Sequence, residues 1–155
     1  MEIGATKAVQ DRLKTTKIEE SKGASLVFCW DTHLTKIKGR NVLFIVNASN
    51  RYTIAMTDIE PRNWNYYTMY IRSVIHGVMQ EMGYSEDQIV QYFKMSGDTT
   101  VTKTHGRKSV GGINRMVMDA QYFGKKLEKE AVCGNIGPHR TSRLPRLGTG
   151  KTYQD

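Results

Sequence analysis

The sequence predicts an α+β domain in which an antiparallel sheet of about five or six strands packs against roughly two or three helices. Strand-like segments cluster before residue 58, whereas helical periodicity dominates from Pro61 onward. Strands that precede the helices, instead of alternating with them, favour α+β over a wound parallel fold. A chain of 155 residues also has the length of one domain that buries its own core.

The predicted strands are short and separated by turn-forming residues. Residues 33–39 alternate apolar and polar side chains, as a half-buried strand does, whereas 41–47 form a continuous apolar run typical of a central strand. Turn residues at 38–41 and 47–50 predict an antiparallel meander. The strand segments are MEIGAT (1–6), SLVFCW (25–30), HLTKIKG (33–39), NVLFIVN (41–47), RYTIAMT (51–57) and TTVTKT (99–104).

Three helices are predicted after Pro61. Apolar side chains recur every three or four residues over 67–82, which gathers them on one face of a helix. Ser85 is predicted to cap the next helix, with Gln88 three residues later completing a capping box. A third helix has apolar residues at helical spacing over 113–127.

Residues 1–132 form the predicted domain, and residues 133–155 form a flexible basic tail. The tail contains four Gly, two Pro and four cations against one acid. Such a segment has too little apolar surface to offset the entropy that is lost on ordering. The whole chain has 23 Lys and Arg against 15 Asp and Glu, a net charge of +8, which favours polyanions or acidic protein faces as partners.

Several classes of protein do not fit the sequence. No segment reaches the roughly 18 apolar residues of a membrane span, and the N-terminus has no apolar signal region, so we expect a cytoplasmic protein without a membrane partner. Cys29 and Cys133 lie far apart, and no His/Cys cluster appears, so we expect no metal and no cofactor. The segment GTGKT (148–152) ends like a P-loop, but Pro145 occupies the position of the first glycine.

A basic segment, KTHGRKSVGGIN (103–114), joins the last predicted strand to the last helix. Ser109 is predicted as the N-cap of that helix, which would place the N–H groups of Gly111 and Gly112 in its first turn, where they could bind an anion. The alternative is architectural: the serine only caps, the glycines permit close packing, and the cations are solvated. The predicted binding residues here are Lys103, Arg107, Lys108, Ser109, Gly111, Gly112 and Arg115.

An aromatic cluster, NWNYYTMYIR (63–72), predicts a second contact surface. Trp64, Tyr67 and Ile71 share one helical stripe and are assigned to the core. A second pair of tyrosines at i, i+4 spacing lies off that stripe, between two arginines. If exposed, this pair would contact a protein or stack on nucleic-acid bases; the alternative is that the sheet covers it. The predicted surface consists of Arg62, Tyr66, Tyr70 and Arg72.

His105 is the single candidate for acid–base chemistry. Cations on both sides of it could bind a phosphodiester while the imidazole abstracts a hydroxyl proton. The same cations are expected to lower the pKa of the imidazole and keep it neutral. A ribonuclease would use such a set with His33 as the acid, but the sequence does not bring the two histidines together. No catalytic constellation is therefore predicted.

Several motifs in this order resemble a family of small prokaryotic and phage proteins known only as a domain of unknown function. The resemblance rests on TK at 6–7 followed by AVQDRL, on Trp30 before a strand, and on I-x-G-R-x-x-L-F at 37–44. It also rests on KTHGRKSVGGIN at 103–114, which approximates a family segment that begins K-T and continues through Arg, Ser-Val, Gly and Asn; the family form reads RSV, without the residue that stands here between Arg107 and Ser109. The likeness spans about residues 3–127 and implies an α+β fold and a prokaryotic or mobile-element origin, without an activity.

These observations predict a small basic non-enzymatic binding protein of phage or mobile-element type. Its predicted action is that of an anti-CRISPR-like inhibitor, which occupies a protein or nucleoprotein surface of a host system that targets nucleic acids. One alternative is direct DNA or RNA binding through the basic segment, the tail and the tyrosine pair. The other is a ribonuclease or phosphodiesterase that uses His105. The oligomeric state is left open.

Overall fold

The centre of the fold is a mixed sheet of six strands, seen in a computed structural model that describes residues 1–15, 18–123 and 132–133. The strands are β1 (Glu2–Ala5), β2 (Cys29–Ile37), β3 (Arg40–Asn47), β4 (Thr53–Thr57), β5 (Thr100–Thr102) and β6 (Val132–Cys133). The helices are α1 (Lys7–Leu13), α2 (Pro61–Asn65), α3 (Tyr67–Glu81), α4 (Glu86–Ser96) and α5 (Arg107–Phe123), with a 3₁₀ turn at Leu26–Phe28. The predicted α+β class is confirmed.

The strand order is β5-β1-β2-β3-β4-β6. As predicted, β2, β3 and β4 form an antiparallel meander, and β6 adds to β4 in the same sense. The sheet is not antiparallel throughout, however, because β1 lies between β2 and β5 and runs parallel to both. Only long crossover connections join these three strands, so no tight turn forces their directions to alternate.

Two predicted segments have different boundaries in the structure. The strands predicted at 25–30 and 33–39 are one strand, β2, and residues 26–28 form the 3₁₀ turn before it. Asp31 and Thr32 interrupt the apolar pattern without ending the strand, because both are buried and the Thr32 hydroxyl donates to the Gly4 carbonyl at 2.8 Å. The predicted cap of α4 is confirmed, with Ser85 and Gln88 forming a capping box.

The two faces of the sheet carry different layers. Leu43 and Ile45 of β3 pack in a cluster with α3, whereas the alternate residues Val42 and Phe44 pack against Ile113 of α5. Helices α1 to α4 lie on the first face and α5 lies on the second. No helix in the described ranges combines the length and the apolar character that crossing a membrane requires.

The same alternation in β1 and β2 sets up a polar cluster. Ile3 and Trp30 belong to the first-face core, so Glu2, Cys29 and Asp31 point to the second face, on which α5 packs. The predicted tail at 133–155 lies outside the described residues except for the backbone of Cys133, which pairs with Ile54.

Candidate functional site

A buried histidine between two carboxylates fastens the segment that leads from β5 into α5. The His105 side chain is 3% exposed; its Nδ1 lies 2.7 Å from Asp31 Oδ1 and its Nε2 lies 2.7 Å from Glu2 Oε2. The backbone N–H of His105 also donates to both carboxylate oxygens of Asp31, at 3.1 Å each. Ionised carboxylates only accept hydrogen bonds, so both ring nitrogens donate and the ring is an imidazolium.

The charged groups of this cluster stabilise one another in their ionised forms. Burial acts to lower the pKa of His105, but the hydrogen bonds and negative charges of Asp31 and Glu2 outweigh it and raise that pKa. Burial likewise acts to raise the pKa of Glu2, yet hydrogen bonds from Ser21, His105 and the Lys22 backbone lower it to about 2. The expectation that neighbouring cations lower the His105 pKa is therefore wrong, because the carboxylates are the groups that the ring touches.

Gly4 allows this arrangement through its lack of a side chain. A Cβ at this position would lie 1.9 Å from Asp31 Oδ1 and 3.0 Å from the Thr104 Cα. Real Cβ atoms do not approach other atoms so closely, so a side chain would displace the carboxylate or the loop. Gly4 on β1 thus lets Asp31 of the neighbouring strand reach the backbone of His105.

Cys29 borders the same cluster and completes a set of possible metal ligands. Its Sγ is fully buried and lies 4.0 Å from Glu2 Oε2. Burial, with the charges of Glu2 and Asp31, raises the pKa of the thiol to about 11. The ligand atoms of Glu2, Cys29 and His105 all lie within 4.8 Å of one another. Carboxylate oxygen, thiolate sulfur and imidazole nitrogen are all common ligands of zinc.

The geometry does not support His105 as a general base. A general base needs a free nitrogen within hydrogen-bonding reach of its substrate. Both nitrogens of His105 are bonded to carboxylates, and the ring is buried. His33, the proposed acid, has its Nδ1 3.0 Å from the hydroxyl of Thr6, and burial lowers its pKa.

Helix α5 begins earlier than predicted. Its first residue is Arg107, and the Gly106 carbonyl accepts from the N–H of Val110 at 3.3 Å, as the carbonyl of an N-cap does. Ser109 is therefore the third helical residue, and the prediction that it is the N-cap is wrong. Gly106 has a φ of 106°, a conformation that glycine adopts readily, so the chain turns into the helix there. The side chains of Lys108 and Ser109 lie outside the described structure.

The new boundary also removes the predicted anion-binding role of the paired glycines. Gly111 and Gly112 lie in the second turn, where backbone N–H groups bond within the helix, so they do not form a first-turn anion site. No described residue packs closely against them either, because a Cβ built on either glycine would meet no described atom within 4 Å. Their presence inside the helix has no explanation in the described packing of the chain.

One side of α5 is exposed and basic. Ile113 and Val117 pack on the sheet, and the residues on the opposite side recur at helical spacing. Lys103 precedes the helix, is exposed, and pairs with Glu20. Among the helix residues whose exposure the structure describes, the exposed ones, which we call the α5 face, are Arg107, Gly111, Asn114, Arg115 and Met118.

The predicted aromatic surface lies in the other layer. Tyr66 is 66% exposed, but Tyr70 packs against the first-face core, and burial raises its pKa to about 12. Arg72 lies over the Phe93 ring, 4.6 Å from its centroid, and donates to Thr99 Oγ1 at 2.7 Å. Arg62 is exposed and pairs with Glu60 at 3.3 Å. The sheet separates these residues from the α5 face, so the predicted binding residues do not form one surface.

An apolar groove of about 640 Å³ lies on the same layer as α3 and α4. Its lining includes Trp30, Met79, Met82, Tyr84 and Met95. The last three are exposed large side chains, with 49%, 45% and 63% of their surface accessible. Sequence reasoning missed the groove because its residues come from three separate segments. A cluster of exposed methionines and a tyrosine around one helix end is the signal that could have indicated it.

The fold and the cluster define a small α+β domain in which buried carboxylates and an imidazolium fasten the start of a basic helix. The chain belongs to the family described as a domain of unknown function (DUF6933), whose model matches residues 2–154. The predicted resemblance is thus confirmed, and the match extends beyond residues 3–127 into the basic tail. No curated protein and no solved structure matches the chain.

Proposed function

We propose that this protein is a non-enzymatic binding protein whose α5 face occupies a polyanionic surface, that of a nucleic acid or a nucleoprotein. The observation that supports this most directly is Gly111, which lies exposed in the middle of the α5 face. A glycine inside a helix costs about 1 kcal/mol relative to alanine. A side chain at this position would meet no described atom, so its absence leaves the helix backbone open to close approach from outside.

The charge of the α5 face supports an anionic partner. Arg107 and Arg115 are both exposed and lie eight residues apart, about 12 Å along a helix. Guanidinium groups bind phosphates through paired hydrogen bonds, and the Asn114 amide between them can donate as well. The net charge of +8 adds long-range attraction to any polyanion.

The buried cluster supports the proposal by holding the α5 face in place. His105 lies two residues before the helix and is bonded to Glu2 of β1 and Asp31 of β2. Arg107 is therefore presented from a fixed starting point, and less conformational freedom is lost when a partner binds. In this account His105 positions the binding surface and takes part in no reaction.

The inhibitor hypothesis fits within this proposal. By binding the nucleic acid of a host defence complex, the protein would keep that complex from reaching its target. An anti-CRISPR-like inhibitor with this positive charge would act in this way. Its support is the small size and positive charge of the chain, together with the prokaryotic or mobile-element origin that the sequence resemblance implies, and this support is by analogy.

The experiment is a binding titration with labelled duplex DNA, single-stranded DNA and RNA at rising salt. We expect affinity at low salt that falls steeply as salt rises, because phosphate contacts release counterions. Reversal of Arg107 and Arg115 to Glu should abolish it, whereas Arg62→Glu on the opposite layer should change it little. A pull-down from bacterial lysate, with and without nuclease, separates a nucleoprotein partner from free nucleic acid. Absence of both kinds of binding would contradict the proposal.

A further inference from the structure

We propose that Glu2, Cys29 and His105 form a zinc site that ties β1 and β2 to the start of α5. These residues are far apart in the sequence, yet the fold brings their ligand atoms within 4.8 Å of one another. The Glu2 and His105 side chains are 5% and 3% exposed, and Cys29 is fully buried. The inference concerns a site separate from the α5 face and stands independently of the proposed function.

The donor set favours zinc over calcium, magnesium and manganese. One sulfur, one nitrogen and one carboxylate oxygen is a combination that zinc accepts, whereas calcium and magnesium prefer oxygen ligands throughout. Thiolate together with imidazole also favours zinc over manganese. Three protein ligands are the number found in zinc sites that keep one coordination position for water or another small ligand.

The surroundings of the three residues match those of a metal site. Metal-binding histidines almost always donate their second ring N–H to a carboxylate or a carbonyl. His105 does so, since its Nδ1 lies 2.7 Å from Asp31 Oδ1, which leaves Nε2 directed at Glu2. The Glu2 carboxylate is oriented in turn by the Ser21 hydroxyl at 2.7 Å and the Lys22 N–H at 2.8 Å.

The charge balance also favours an exchange of protons for a metal ion. The carboxylates of Glu2 and Asp31 and the imidazolium of His105 leave one net negative charge in a buried place. Zinc would displace one proton from Cys29 Sγ and one from His105 Nε2. Two protons leave as one divalent cation enters, so the total charge of the cluster is unchanged and no additional charge is buried.

The structural adjustment required is small. Two ligand atoms at roughly 2.0–2.1 Å from a tetrahedral ion lie about 3.4 Å apart. Glu2 Oε2 and His105 Nε2 are 2.7 Å apart, and Glu2 Oε2 and Cys29 Sγ are 4.0 Å apart. Movements of well under 1 Å at these side-chain ends bring both separations to that range, and the third pair, the ligand nitrogen of His105 and Cys29 Sγ, lies within 4.8 Å.

The test uses the full chain, treated with chelator and then titrated with Zn²⁺ or with Co²⁺ as a spectroscopic probe. We expect one equivalent of either metal to bind, and cobalt to give the near-ultraviolet charge-transfer absorption of a thiolate ligand. That absorption should vanish in Cys29→Ser and persist in Cys133→Ser, a matched control at the other cysteine of the chain.

If Cys29→Ser does not fold, thermal unfolding of the wild type tests whether the native protein binds zinc. Zinc that binds only the native state should raise the melting temperature of the chelator-treated protein in proportion to the logarithm of its concentration. Wild-type protein that takes up no stoichiometric metal, with a melting temperature indifferent to zinc, would overturn the proposal. So would cobalt absorption that survives in Cys29→Ser. Either result leaves the nucleic-acid titrations as a separate test of the α5 face.

Discussion

Replacing Gly111 with alanine should make the protein more stable and a poorer binder at the same time. Alanine in a helix interior is favoured over glycine by about 0.8–1 kcal/mol. The new Cβ meets no described atom, so nothing in the described packing opposes this gain. For a chain of 155 residues the gain corresponds to a rise of about 2–4 °C in melting temperature.

The loss of binding follows from the position of Gly111 in the α5 face. A methyl group there would hold a partner off the helix backbone between Arg107 and Arg115. We expect an affinity loss of about tenfold, which is equivalent to about 1.4 kcal/mol. The assays are thermal unfolding followed by circular dichroism, and fluorescence anisotropy with labelled nucleic acid at low salt.

Gly112→Ala is the matched control. It is also a helical glycine whose added Cβ would meet no described atom, but it points about 100° away around the helix. We expect the same stabilisation with little loss of affinity. A Gly111→Ala variant that binds as tightly as the wild type would refute the reasoning. Destabilisation by Gly111→Ala would refute it equally, because it would show that the glycine serves internal packing.

Four further predictions concern the fold and its buried cluster. The pKa of Glu2 is lowered from 4.5 to about 2. Its ionised carboxylate therefore adds about 3 kcal/mol to the free energy of unfolding above pH 4.5, and this contribution is lost as the pH falls toward 2. In urea unfolding of metal-free protein, Glu2→Gln should flatten this pH dependence. The pKa of His105 is raised from 6.5. The contribution of His105 to the free energy of unfolding is therefore complete below pH 6.5 and is lost as the pH rises through the raised pKa. Gly4→Ala should lower the free energy of unfolding in urea by about 3 kcal/mol or more, because the new Cβ would displace Asp31 from His105. A variant as stable as the wild type would contradict the geometry. Ser85→Ala should cost about 1 kcal/mol through loss of the capping box, and Ser96→Ala serves as its control at the other end of α4.

The sequence predicted those features that depend on neighbouring residues. The capping box at Ser85 and Gln88 was predicted correctly because both its hydrogen bonds join residues three apart. The meander of β2, β3 and β4 was predictable because short turns join these strands. The start of α5 was not, because Gly106 and Ser109 are both plausible places for a helix to begin and only the backbone conformation at Gly106 decides between them.

The buried cluster was beyond sequence reasoning for a different reason. His105 meets Glu2 and Asp31 only because β1 lies between β2 and β5 in parallel. Nothing local to the basic segment indicates that its histidine is buried between acids from strands at the other end of the chain. One signal was present, namely the isolated charged residues Glu2 and Asp31 within apolar strand segments. A charge within a buried strand requires a partner, and that requirement could have prompted a search for one.

The salt dependence of nucleic-acid binding tests the central claim most directly. The logarithm of the binding constant falls with the logarithm of the salt concentration by about 0.9 for each phosphate that a protein neutralises on duplex DNA. We expect a steep slope for the wild type, a slope shallower by about one for Arg107→Glu, and an unchanged slope for Arg62→Glu. A slope that is the same in wild type and Arg107→Glu, or an absence of binding at low salt, would contradict the claim that the α5 face binds a polyanion.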